Sequence, residues 1–197
     1  MNRITDILTS FAASRLQDAE PGHDLLHSQR VLENARQIMQ HQECDKEVVM
    51  AACLLHDLAD HKFANEQESV KDIKDLLDRC RFTTAQIQHT IDIITRMSFS
   101  KEIAGTGQLQ TAEFEIVQDA DRLDALGAIG IARAFSYGGY RKRPFYADDD
   151  NSTIAHFHQK LLKLSSMMKT AMGRQMAEER HEFMVLFLNQ LNKDCHL

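Results

Sequence analysis

The sequence predicts an all-α fold built as one domain, and three observations predict it. Apolar residues recur at helical spacing almost throughout the chain. Only two prolines and eight glycines punctuate 197 residues, which favours long helices over a turn-rich β architecture. With 43% hydrophobic and 26% charged residues, the composition is that of a globular chain long enough to enclose a core and a pocket.

The elements follow in order. Ile4, Ile7, Leu8 and Phe11 mark a first helix, and Val31, Ala35, Ile38 and Met39 mark the face of a second. Asp45 is placed to cap a third, running through Val48, Val49, Ala52, Cys53 and Leu55. That segment is apolar on nearly every side, the pattern of a helix buried among others. Val70, Ile73, Leu77 and Cys80 indicate the next helix, and Ile87, Ile91 and Ile94 the one after. A break at Gly105 to Gly107 precedes a long segment from near Thr111 to Phe135. Gly138 to Asn151 holds a glycine pair, the basic run Arg141, Lys142 and Arg143, Pro144 and three aspartates, and reads as an ordered surface loop. A final helix or pair of helices begins near Thr153 and carries Phe157, Leu161, Leu164, Met168, Phe183 and Phe187 inward. No internal repeat, low-complexity tract or linker divides the chain.

The formal net charge of −6 argues against wholesale nucleic-acid binding. An anionic substrate stays open, because a metal and a few local cations outweigh net charge within one cleft. Cys44, Cys53, Cys80 and Cys195 are scattered with no CxxC pair, as expected of reduced thiols. Met1 to Ser10 lacks a basic segment and the apolar core of a secretory signal. No run approaches the roughly 20 apolar residues that cross a bilayer. A cytoplasmic protein is expected.

Three segments carry chemistry. Leu54-Leu55-His56-Asp57-Leu58-Ala59-Asp60-His61 places polar groups at the end of an otherwise apolar helix. Burying two adjacent ionisable side chains is costly unless something pairs with or coordinates them. Imidazole with carboxylate suits a divalent cation such as Mn²⁺, Fe²⁺ or Mg²⁺; a hydrogen-bonded pair capping a helix end is the alternative. Gly22-His23-Asp24-Leu25-Leu26-His27-Ser28-Gln29-Arg30-Val31 sets His23 and His27 at i and i+4 of a helix, and spaces Asp24, His27 and Arg30 by threes. No glutamate of an HExxH motif stands between the histidines, so a zinc-protease reading is not supported. In Val117-Gln118-Asp119-Ala120-Asp121-Arg122-Leu123-Asp124, Asp121 and Asp124 share one helical face and Asp119 points elsewhere. Gly127 and Gly130 each weaken a helix by roughly 1 kcal/mol against alanine, so close helix approach is their expected reason. A solvated acidic stripe is the alternative for these aspartates.

Taken together, the segments supply His, His-Asp and Asp in chain order, and here the sequence resembles the HD-domain superfamily of metal-dependent phosphohydrolases. HDxxHxxRV, LLHDLADHKF, DADRLDALGAIGIARAF and HFHQKLLKL resemble its compact bacterial branch of YedJ-like and YpgQ-like proteins. The resemblance covers roughly residues 20 to 190. It implies a single HD domain over 1–197, a helical bundle with a metal site between helices. The core motifs would occupy about 20–125, with C-terminal helices at about 153–192 packed on the same core.

The resemblance implies His27, His56, Asp57 and Asp121 as metal ligands, with His23, Asp24, His61 and Asp124 around them. The ion would be Mn²⁺ or Mg²⁺ first, then Fe²⁺ or Ni²⁺, and it would activate a water for attack on phosphorus. Asp60, at i+4 from His56, is the expected proton acceptor. Relatives that cleave guanosine polyphosphates carry HDxxED, whereas the corresponding residues here are Ala59-Asp60, so one acid of that pair is missing. Arg30, Lys62 and Arg122 are the expected phosphate contacts, with Arg30 bracing Asp24 or Asp124 as its alternative. Tyr137 and Lys142, in the run Tyr137 to Arg143, are placed to close over a phosphate or base, and His156 and Lys160 to line the pocket. The expected partner is a nucleotide or other small phosphate ester, with no membrane, no nucleic acid, and a homodimer admitted. Nucleoside triphosphate pyrophosphohydrolysis is the leading activity. A nucleoside monophosphatase, a guanosine-polyphosphate hydrolase and a non-catalytic nucleotide or metal sensor are the alternatives.

Overall fold

The computed structural model describes residues 3–17, 20, 22–59, 66–147 and 151–195. The described residues form ten α-helices and three 3₁₀ turns, with no strand. The helices are α1 (Arg3–Arg15), α2 (Leu25–Ile38), α3 (Lys46–Leu55), α4 (Glu66–Arg79), α5 (Thr84–Arg96), α6 (Phe99–Ile103), α7 (Ala112–Asp124), α8 (Gly127–Tyr140), α9 (Thr153–Gln159) and α10 (Ala171–Cys195). The expected all-α class is the one observed.

Side-chain caps start most of these helices, because the first N–H groups of a helix lack internal partners. Asp24 accepts from the His27 amide at 2.8 Å to begin α2. Asp45 accepts from Glu47 and Val48 amides at 3.0 and 3.2 Å to begin α3, as the sequence indicates. Thr83 and Gln86 form a reciprocal capping box at α5. Thr111 and Ser152 cap α7 and α9.

The apolar α3 is the central rod. Val48, Val49, Ala51, Ala52, Cys53, Leu54 and Leu55 are all buried, and α1, α2, α5 and α7 surround them. Helix α7 lies alongside α2, where the fully buried Ala120 offers its carbonyl to Asn34 Nδ2 at 3.1 Å. The long α10 covers α7 and α8. Its start is held by Asp119, which is 0% exposed and accepts from the Lys169 and Thr170 amides and from Thr170 Oγ1. A Cβ on Gly173 would stand 2.5 Å from Asp119 Oδ2, so glycine is required beneath that cap.

Four expectations need correction. The segment from Thr111 to Phe135 is two helices, because Gly127 at φ +67° turns the chain between α7 and α8. Gly130 lies on that same turn: its Cβ would sit 2.3 Å from the Ala125 carbonyl oxygen, so the close approach is to the chain's own turn and not to another helix. Gly138, Gly139 and Tyr140 complete α8 and do not belong to the loop. Phe183 faces outward at 48% exposure, while Phe157 and Leu161 do point inward. The break at Gly105 to Gly107 stands, with the short α6 just before it.

Candidate metal centre

Helices α2, α3 and α7 meet so that His27, His56, Asp57 and Asp121 converge. At His56 the α-helix tightens into a 3₁₀ turn, His56–Ala59, ending α3 beside α2 and α7. The Nε2 atoms of His27 and His56 are 3.2 Å apart. His27 Nε2 lies 3.5 Å from Asp57 Oδ2 and 3.4 Å from Asp121 Oδ1, and His56 Nε2 lies 3.4 Å from Asp57 Oδ1 and 3.8 Å from Asp121 Oδ1. A divalent ion with donors at roughly 2.1 Å spaces neighbouring donors about 3.0–3.4 Å apart. The donor set therefore fits a divalent cation of the kind bound by imidazole and carboxylate. Asp57 Oδ2, moreover, is buried with no hydrogen-bond partner among the described residues, an orphan that coordination would satisfy.

The histidines are aimed by their other nitrogens. His27 Nδ1 donates to Asp124 Oδ2 at 2.7 Å, and His56 Nδ1 donates to the Cys53 carbonyl at 2.9 Å. Each Nε2 is thereby turned to the centre, as orienting partners do in metal sites. Asp124, 2% exposed, also receives Arg30 through Nε at 2.7 Å and Nη2 at 3.0 Å, and Arg133 Nη1 at 2.8 Å. Arg133 Nη2 reaches the Gly22 carbonyl at 2.6 Å, binding the turn that carries His23 to the same hub. His23 Nδ1 stands 3.1 Å from Asp57 Oδ1.

The charge state follows from this crowding. Burial opposes protonation of His27, but hydrogen bonds to Asp121 and Asp124 and the charges of Asp57 and Asp121 prevail and push it up to about 9. Burial likewise opposes ionisation of Asp57, yet His56, His23 and His27 hold its carboxyl well below the usual range. The Asp121 carboxyl is also held low, against burial, by His27 and His56. The cluster is thus anionic and recruits a proton where a cation fits.

A cleft of 690 Å³ opens beside it, with His23, His56, Asp57 and Asp121 in its lining. Those two aspartates are the only carboxylates lining it among the described residues, against Lys101, Arg122, Arg133, Arg143 and Lys160. Burial, with Lys160 and Arg143, holds His156 on the same wall below the ordinary histidine range. Ile94, Met97, Phe99, Leu161 and Leu164 add an apolar side.

Several residues sit differently from expectation. His23 is not on a helical face with His27, because Asp24 is the extended N-cap and α2 begins at Leu25. Asp24 serves as that cap. Arg30 braces Asp124 through Nε and Nη2, the alternative its spacing offered. Arg122 is 5% exposed, bonded to the Met167 carbonyl at 2.7 Å and paired with Glu102. Tyr137 does line the cleft, with the Arg141 and Arg143 guanidinium carbons 5.9 and 5.8 Å from its ring centroid. Lys142 is exposed at φ +55° on the turn after α8, and Arg143 lines the cleft in its place. His156 and Lys160 do line it. Asp60, His61 and Lys62 lie outside the described residues. Arg133 was missed, although it is the sole charge in the apolar α8, Gly127–Tyr140, and that isolation was its signal.

The HD domain family model matches residues 25–126, a span containing all four converging side chains and Asp124. YpgQ of Bacillus subtilis is 41% identical over 188 residues, covering 95% of this chain and 91% of its own. A crystal structure of YpgQ in complex with ADP superposes with a TM-score of 0.82 at 40% identity, covering 96% of this chain and 97% of that one. An HD-superfamily hydrolase from Bacillus thuringiensis matches with a TM-score of 0.80 at 34% identity, covering 98% and 96%. With this match and these similarities, the chain belongs to the HD domain family, among HD-superfamily hydrolases.

Proposed function

We propose that this protein is a metal-dependent phosphohydrolase acting on a nucleotide, with nucleoside triphosphate pyrophosphohydrolysis as its leading reaction. The observation that carries this reading is the cleft. In a chain of net charge −6, every Lys, Arg, Asp or Glu lining it among the described residues is a cation apart from the two aspartates of the candidate metal centre. It also has an apolar side, so it suits an amphipathic anion with several charges and a nucleoside better than a bare phosphate. The binding of ADP by YpgQ supports the same ligand class.

In this reading His27, His56, Asp57 and Asp121 hold the cation, Mn²⁺ or Mg²⁺ foremost. When bound, it supplies Lewis-acid polarisation of a phosphoryl oxygen and acidifies a coordinated water. Asp124 and the Cys53 carbonyl keep both histidines aimed, and His23 supports Asp57. Lys101, Arg143 and Lys160 neutralise the phosphate chain, and Leu161 and Phe99, whose ring centroid lies 5.0 Å from Lys160 Nζ, form the apolar side against the nucleoside. Asp60 takes the proton of the attacking water by the family resemblance.

The test is purified protein, chelator-stripped and reloaded with Mn²⁺, assayed against nucleoside mono-, di- and triphosphates with the released product identified. Pyrophosphate and monophosphate from triphosphates are expected. Orthophosphate from monophosphates would replace this reaction with a nucleotidase, and saturable binding with no product would identify a sensor. Asp60→Asn should keep Mn²⁺ and lower kcat; unchanged turnover would remove Asp60 from its role.

A further inference from the structure

One wall of the cleft is held in an unusual way. Met97, Ser98, Phe99, Ser100 and Lys101 all line it, yet α6 within this stretch buries no residue. A five-residue helix is far below the length that stands alone in water. The segment is closed at its base, where a Cβ on Gly107 would sit 2.4 Å from the Arg96 carbonyl oxygen. It is a compact loop with adjoining ends, of the Ω type.

Its anchors come from elsewhere. Gln118 Nε2, on α7, donates to the Met97 carbonyl at 3.1 Å. Glu102, with its side chain 14% exposed, is paired with the Arg122 guanidinium and lies 3.6 Å from Lys169 Nζ. Gln118 and Arg122 are one turn apart on the helix that carries Asp121. An ion pair this enclosed is sensitive to losing one partner, because the other charge is left uncompensated.

We propose that Glu102, Arg122 and Gln118 are positioning residues that hold residues 97–103 as a preformed wall for the nucleoside end of the substrate. This rests on the nucleotide reading above and deepens it. The wall contributes to nucleotide affinity because its ordering cost is met before binding. It stands apart from the four converging ligands, so it sets KM without setting metal occupancy.

The experiment compares wild type, Glu102→Gln and Phe99→Ala, each loaded with Mn²⁺. Titration with a non-hydrolysable triphosphate analogue is read beside Mn²⁺ titration, turnover, and amide exchange across residues 97–104. For Glu102→Gln, analogue affinity should weaken about tenfold, with KM rising in parallel. Its kcat should stay within about threefold and Mn²⁺ affinity within about twofold, while exchange of 97–104 accelerates. Phe99→Ala should lose comparable affinity with its amides still protected. Unchanged analogue affinity in Glu102→Gln despite accelerated exchange would overturn the proposal, as would a parallel loss of Mn²⁺. Should Glu102→Gln fail to fold, Phe99→Ala decides: unaltered analogue affinity refutes the wall, and weakened affinity supports it. Wild type that takes up Mn²⁺ but no analogue would instead overturn the nucleotide reading itself.

Discussion

Replacing Asp124 by asparagine tests whether orientation of His27 governs the metal centre. Asp124 Oδ2 takes three donors, from His27 Nδ1, Arg30 Nη2 and Arg133 Nη1, and Oδ1 takes Arg30 Nε. An asparagine oxygen can keep the Oδ2 position, but its NH₂ then meets the Nε–H of Arg30, and the charge that orders both guanidiniums is gone. Loss of such an orienting partner weakens metal binding about 10–100-fold. At about 1.4 kcal/mol per tenfold, that is about 1.4–2.8 kcal/mol. Stability falls for a separate reason. Breaking a fully buried pair costs about 3–5 kcal/mol and an exposed one about 0–1. The Arg30 and Arg133 side chains are 35% and 21% exposed against 2% for Asp124, which places the loss between those limits. Calorimetric titration of chelator-stripped protein with Mn²⁺ measures the first effect, and a thermal melt the second. A lowered Tm with Mn²⁺ affinity unchanged within about twofold would refute the reasoning, leaving Asp124 as a structural hub only.

Other perturbations have equally definite expectations. Asp57→Ala should abolish both bound Mn²⁺ and hydrolysis, since it removes an anionic donor and leaves His27 and His56 facing each other at 3.2 Å; stoichiometric metal in the variant would show that Asp57 is dispensable. In chelator-stripped protein, His27 is raised from 6.5 to about 9, so its contribution to stability is fully present below about pH 6.5 and is lost as pH rises through about 9. The urea midpoint should fall across that window and stop doing so when Mn²⁺ displaces the proton; a flat profile without metal contradicts the assignment. Gly138→Ala should destabilise by about 1–3 kcal/mol, because its Cβ would stand 2.2 Å from Thr153 Oγ1 where α8 meets α9. Adding Thr153→Ala should recover part of the lost Tm, and no recovery would place the strain elsewhere.

The periodicity of the chain is informative where burial is one-sided or complete. Val48 to Leu55 reads as a buried helix because every side is apolar, and it is the central rod. Asp45 reads as its cap because a carboxylate before such a run has one obvious use. Phe183 misleads because an aromatic ring contributes to apparent periodicity whichever way it faces, and here it is outside. The two-helix break at Gly127 was hidden because glycine at φ +67° and glycine inside a helix look alike in sequence.

For the candidate site, local spacing indicates which residues are unusual but not which partners they meet. His56-Asp57 at the end of an apolar helix and Asp121 beside Asp124 both stand out from their neighbours alone. Arg30 and Arg122 illustrate the opposite: each is a cation near the motifs, and each is bound by a carboxylate 94 residues away in one case and 20 in the other. A side chain's local sequence limits its reach, not the identity of the acceptor the fold delivers.

The chain by itself determined the helical class, the buried third helix, and the residue types suited to a divalent ion, since these depend on periodicity and on donor chemistry. Only the tertiary structure decided that His27 and His56 meet within 4 Å of each other and of both Asp57 and Asp121, and that Asp124 aims one of those imidazoles. The physical reason is that convergence depends on how α2, α3 and α7 cross. That crossing is set by contacts between residues far apart along the polymer, which no local pattern encodes.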